Sequence, residues 1–197
     1  MIGGHGAGTS EPDSTRVRVP LLEELLAETD AEQHRVWLDL GAAQDGLLLR
    51  LGGRRARVIV ADLPAAIEQG HTPWHLPDAL VAPSSWDRAV DRVLVWDLLD
   101  YLAATEIREL GEQLSSHLSP SGRVHALVHY STPGMPAHPG KWRFDRDGAL
   151  HSATVSGEMV PAPRHSPKAL EKAMLRFRVE RTVLLNNGMQ EFLLRLR

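Results

Sequence analysis

The chain has 197 residues, 43% of them hydrophobic, which suits one domain with a substantial core. A formal net charge of -3 gives no general pull toward nucleic acid, and the lack of cysteine excludes disulfides and thiolate chemistry. No apolar run approaches the roughly 18 residues of a membrane span, and Met1 to Ser14 is glycine-rich and polar rather than a signal peptide, so a cytoplasmic protein without nucleic-acid or membrane partners is expected.

Residues 1–19 mix Gly, Ser, Pro and charge without periodicity, which predicts a flexible arm followed by a single domain over 20–197. Leu21, Leu22, Leu25 and Leu26 then form the apolar stripe of a short helix, with Glu23 and Glu24 outward. Val36 to Leu40 reads as a strand, and Leu47 to Leu51 as a brief helix stopped by Gly52 and Gly53. Arg57 to Ala61 is a second apolar run that ends in Asp62. Pro64, Pro73, Pro77 and Pro83 interrupt every run up to Asp87 and leave the next strand unplaced. Thr105 is a candidate N-cap for a helix with its buried face at Ile107, Leu110, Leu114 and Leu118. The turn Ser119-Pro120-Ser121-Gly122 ends that helix, and the next strand runs from Arg123 to Tyr130. Residues 131–165 are rich in Pro, Gly and His around one hairpin signal, Asp147-Gly148, and predict a mobile cover that proteases cut early. Ser166-Pro167 opens a further helix, and Asn187-Gly188 joins two period-two runs, Phe177 to Leu185 and Met189 to Leu196, as a final hairpin.

Val36 to Gly41 is an apolar strand running into Asp-Leu-Gly, and Asp62 closes the second strand. Val90 to Leu102 and the turn 119–122 follow in order. These segments resemble the class I S-adenosylmethionine-dependent methyltransferases over most of the chain. The resemblance implies an α/β, Rossmann-like fold: a mostly parallel seven-stranded sheet, helices on both faces and an antiparallel C-terminal hairpin. It also implies S-adenosylmethionine as cofactor, held by Asp39, Gly41, Ala43 and Asp62, with Asp62 on the ribose hydroxyls and Asp39 holding the loop and the cofactor's amino group. The loop departs from the family's glycine alternation, reading Gly41, Ala43, Asp45. Ala43 adds a Cβ, and Asp45 brings a carboxylate toward that of the cofactor, a repulsion of about 1 to 4 kcal/mol at 4 Å unless a one-residue shift brings Gly46 there instead.

Ligands in such sheets bind beyond the carboxyl ends of the strands. Asp97 is a candidate general base or substrate anchor, with a helix N-cap as its structural alternative, and His129 is a candidate for deprotonating a hydroxyl acceptor. Asp62 has the alternative of capping the helix that starts at Pro64, and Asp39 that of a turn-making residue. No metal is expected. Pro73 separates His71 from His75, and His125 and His129 stand about 13 Å apart on a strand. The expected activity is methyl transfer to a small-molecule or protein acceptor; the alternative is a catalytically silent module of the same fold, with a protein partner or a second copy as its target. If the site is retained, Asp45→Gly tightens S-adenosylhomocysteine binding in calorimetry, while Asp62→Ala weakens it by about 1.5 to 3 kcal/mol.

Overall fold

The computed structural model describes residues 14–29, 33–42, 46–68, 89–145, 147–153 and 157–197. The elements in order are β1 (Ser14–Val17), α1 (Pro20–Ala27), β2 (Arg35–Asp39), α2 (Gly46–Arg50), β3 (Ala56–Val60), α3 (Leu63–Glu68) and β4 (Val90–Trp96). A 3-10 turn (Leu98–Tyr101) leads to α4 (Ala104–His117) and β5 (Leu118–His129). Then come β6 (Gly134–Pro136), β7 (Lys141–Phe144), β8 (Leu150–Ala153), β9 (Met159–Pro161), α5 (Pro167–Ala173), β10 (Phe177–Leu184) and β11 (Met189–Leu196). No helix among the described residues is long and apolar enough to cross a membrane.

The main sheet has the order β10-β11-β5-β4-β2-β3, with β3, β2, β4 and β5 parallel and β11 antiparallel between β5 and β10. Six strands are described rather than the seven expected, and the segment 69–88 lies outside the described residues. Strand alternation sorts side chains to two cores. Val36 and Leu38 of β2 and Val93 and Val95 of β4 face Ile107, Leu110 and Leu114 of α4. Trp37 and Leu94 point the other way, against Leu21, Leu22, Leu25 and Leu26 of α1. At the last turn Gly188 has φ +83°, a backbone that L side chains rarely adopt.

The structure departs from the sequence reading at several joints, among them α4, whose N-cap is Ala103 rather than Thr105 and which ends before Leu118 passes into β5. The expected arm ends early, because Ser14–Val17 pairs antiparallel with β8 and buries Val17. Its pairing partner lies far along the chain, beyond the reach of local periodicity. The turn 119–122 does not precede β5 but lies within it. Val90 pairs with Leu118 and Arg92 with Arg123, so this stretch forms an irregularity in the β4–β5 ladder. A Cβ on Gly122 would stand 2.4 Å from Leu118 Cγ, which requires glycine there.

The N-terminal helix is tied to the sheet by a buried acid. Glu191 of β11 is 0% exposed and accepts from the backbone N–H of Leu21 (3.0 Å) and of Leu22 (2.8 Å) in the first turn of α1. Its Oε1 also lies 2.8 Å from His125 Nε2 on β5. Negative charge at a helix start satisfies amides that have no intrahelical partner. Replacing Glu191 by Ala strands those donors and the buried His125. We expect a loss of about 3 kcal/mol in urea unfolding, read as about 6 °C or more in Tm; a change under about 1 kcal/mol would show that the tie is dispensable.

Candidate functional site

β2 delivers Asp39 to the carboxyl edge of the sheet, where its side chain is almost fully buried. Asp39 Oδ1 accepts from Gly41 N–H at 2.9 Å and from the Trp96 indole N–H at 2.6 Å. Burial pushes the Asp39 carboxyl above its ordinary value, a tendency opposed by the bonds from Trp96 and Gly41 and reinforced by the charge of Asp62. Trp96 ends β4 with φ +56°, a left-handed backbone that a bulky residue rarely takes. That turn lays the indole on the loop. A Cβ at Gly41 would lie 2.5 Å from Trp96 Cδ1 and Nε1, so the glycine makes room for this ring.

The cover completes the closure. Trp142 of β7 stacks on Trp96 with ring centroids 6.0 Å apart and planes within 6°, and Phe144 meets Trp96 edge-on at 6.4 Å. The backbone of Phe144 runs over the start of α2, where a Cβ on Gly46 would stand 2.9 Å from the Phe144 nitrogen. Between Asp39, Ala42, Leu47, Trp96, Trp142 and Phe144 only about 10 Å³ remains. That is barely the space of one water.

Asp97 is the latch on this cover. It is 2% exposed, and its two oxygens accept from Gly140 N–H and from the Trp142 indole N–H, each at 2.9 Å. It is the N-cap residue of the 3-10 turn that follows, as its structural alternative has it, but its side chain makes no cap bond there. Asp62 at the end of β3 has φ +44° and accepts from Ala65 N–H at 3.3 Å, in the first turn of α3. It caps this helix, as its structural alternative anticipates, and its distance from Asp39 is short enough for electrostatic coupling.

His129, at the end of β5, has a partner that local sequence reading passes over. Asp100 Oδ2 accepts from the His129 backbone N–H at 2.7 Å and lies 2.8 Å from His129 Nδ1. The other oxygen of Asp100 is buried without a hydrogen bond, 3.9 Å from His165 Nε2. The available signal was the spacing Asp97–Asp100, because residues three apart eclipse on a 3-10 turn and both acids then face inward. Beside His129 opens a cavity of about 350 Å³, lined also by Asp97, Thr132, Trp142, Met159 and Met189. The Tyr101 hydroxyl, 3.0 Å from Pro136 O and 2.9 Å from His138 O, ties the same wall to the turn.

The structure therefore joins Asp39, Gly41 and Asp97 through the Trp96–Trp142 stack, and sets His129 on the cavity that Asp97 also borders. Ala43, Gln44 and Asp45 lie outside the described residues, as do His71, Trp74, His75 and Trp86.

No family model and no curated protein sequence matches the chain. Solved structures do. An S-adenosylmethionine-dependent methyltransferase from Clostridium acetobutylicum superposes with a TM-score of 0.55 at 12% identity, covering 90% of this chain and 89% of its own. The PH0226 protein from Pyrococcus horikoshii gives 0.53 at 16% identity over 90% and 89%. DhpI, solved as a complex with SAH, gives 0.51 at 19% identity over 89% and 81%. The fold is that of the class I methyltransferases. Among the described residues the space beside Asp39 is about 10 Å³, against the roughly 300 Å³ or more of a small-molecule site, and Asp39 Oδ1 is engaged by Trp96 and Gly41.

Burial raises the Asp97 carboxyl from 3.8 to about 6, against the opposing bonds from Gly140 and Trp142 and with a smaller push from Asp100. The folded state thus takes up this proton before the unfolded chain does. The destabilisation from keeping Asp97 charged is complete above pH about 6 and is relieved as pH falls toward about 4. The indole N–H resonance of Trp142 should move with a midpoint of about 6, and lose that transition in Asp97→Asn. A midpoint at the ordinary carboxylate value would contradict the buried latch.

Proposed function

We propose that the chain is a methyltransferase-fold binding module whose cofactor cleft is closed by its own aromatic side chains. The observation that carries this reading is the Trp96 indole, bonded to Asp39 and packed on Gly41 at the place where the family holds its cofactor. Trp142 and Phe144 seal it from the cover side, and Asp97 anchors that seal at two points. Its binding target, a small molecule or a protein, would be engaged away from the sealed loop.

The second reading is S-adenosylmethionine-dependent methyl transfer to a small-molecule or protein acceptor. It is favoured by the Asp100-held His129 beside an open cavity, and by the retention of Asp39 and Asp62. His129 would then take the acceptor proton, and Asp100 would orient the ring and stabilise its protonated form. This reading requires the Trp96–Trp142 stack to part.

Calorimetry with S-adenosylmethionine and S-adenosylhomocysteine separates the two. For the parent no heat is expected at ligand concentrations up to about 1 mM, equivalent to less than about 4 kcal/mol of binding. Trp96→Gly removes the plug and suits the left-handed backbone at that position, so binding should appear, with the fold checked by circular dichroism. Micromolar binding by the parent that Asp62→Ala abolishes would overturn the closed-cleft reading in favour of methyl transfer.

A further inference from the structure

Across Trp142 from the closed cleft, the cavity of about 350 Å³ under β6 and β9 has the makings of a ligand site. Its walls are mainly apolar and polarizable, with Trp142 and Met189 buried and Met159 63% exposed at the rim. Its polar groups have a definite sense. Asp100 Oδ2 receives the bond at His129 Nδ1, so in the neutral ring the proton sits on Nδ1 and Nε2 is an acceptor. Nε2 has no hydrogen-bond partner among the described residues, and neither does the hydroxyl of Thr132, which lines the same wall.

Charge narrows the ligand further. No Arg or Lys is among the lining residues, whereas Asp97 borders the cavity and Asp100 stands directly behind His129. Both oxygens of Asp97 already accept from Gly140 and Trp142, so it acts on a ligand through its field rather than by a direct bond. An anion entering here would lose its hydration and meet two carboxylates without a compensating cation. A hydrogen-bond donor, neutral or positively charged, meets an acceptor nitrogen and a favourable field.

We propose that this cavity binds a small, mainly apolar, ring-sized molecule bearing a hydroxyl or an amine, whose donor hydrogen is received by His129 Nε2, and that it discriminates against carboxylates. His129 and Thr132 set the specificity, and Asp100 is the positioning residue that holds the His129 tautomer. The site rests on the closed-cleft reading for its wall, because Trp142 and its anchor Asp97 belong to both, whereas its polar groups on His129 and Thr132 make no contact with Gly41 or Asp62.

The test uses the full chain at a pH of about 8, where an ordinary imidazole is neutral, and follows the His129 ring and Thr132 methyl resonances. The probes are p-cresol, benzylamine, benzoate and p-xylene. Saturable shifts of both residues are expected with p-cresol and benzylamine, and binding of benzoate and p-xylene at least about tenfold weaker. The ring nitrogens should report a proton on Nδ1, and Asp100→Asn should shift that tautomer balance while the fold persists. Thr132→Val, which keeps the shape, should weaken p-cresol about fivefold to tenfold, as loss of one neutral hydrogen bond does. His129→Phe should abolish the preference for p-cresol over p-xylene. Equal binding of all four probes, preference for benzoate, or no shift with either donor probe would each overturn the proposal. If the parent binds S-adenosylmethionine yet keeps the donor preference, only the closed-cleft reading falls.

Discussion

The bond from the Trp96 indole to Asp39 organises the carboxyl edge of this sheet. Asp39 is buried and its burial disfavours the charged form, so the carboxylate needs donors, and it finds them in the loop amide of Gly41 and in an indole from the neighbouring strand. Supplying that indole forces Trp96 into a left-handed backbone at the strand end. A strained non-glycine residue persists only where its surroundings over-determine it. Here the hydrogen bond to Asp39 and the stack on Trp142 do so together, and the result is a ring lying where the loop would otherwise be open.

The cover follows from the same constraint. Trp142 can stack on Trp96 only if β7 crosses the start of α2, and the close approach of Phe144 to Gly46 records that crossing. Asp97, next in sequence to Trp96, then receives both the Trp142 indole and the Gly140 amide. Consecutive residues of one strand end thus hold the two layers together, one by its ring and the other by its carboxylate. β8 extends the cover to β1, and so brings the N-terminal segment onto the same body. On the far side Glu191 performs the matching task, using a buried charge to seat the first turn of α1 against β11 and β5.

Much of the core was legible because its signals are local. The leucine stripe of α1 and the apolar face of α4 follow the helical period, and Gly188 takes a positive φ in the last turn, although Asn187 does not, so the turn is not the type I′ that Asn-Gly favours. The Asp39-Leu40-Gly41 motif marked the right strand end. What it could not convey was which partner the glycine accommodates, because a cofactor and an indole make the same demand for a missing Cβ. Asp97 stands out in the sequence by its position at a strand end, yet its side chain bonds to Gly140 and Trp142 and not to the turn that follows it. Asp100 carries only the weak local signal of its three-residue spacing from Asp97, and its pairing with His129 depends on a strand far along the chain.

The sequence by itself determined the α/β character, the order of the elements around Asp39 and Asp62, and the placement of His129 at a strand end, since each rests on hydrophobic period or on a residue's intrinsic backbone preference. Tertiary structure alone decided that Ser14–Val17 would be a strand, that Trp96 would fill the loop, and that His129 would acquire Asp100 as its partner. Those outcomes depend on pairings between residues far apart in the chain. They are selected by burial, by the demand of buried carboxylates for donors, and by the steric fit of rings against glycines, and none of these leaves a mark within a short window of sequence.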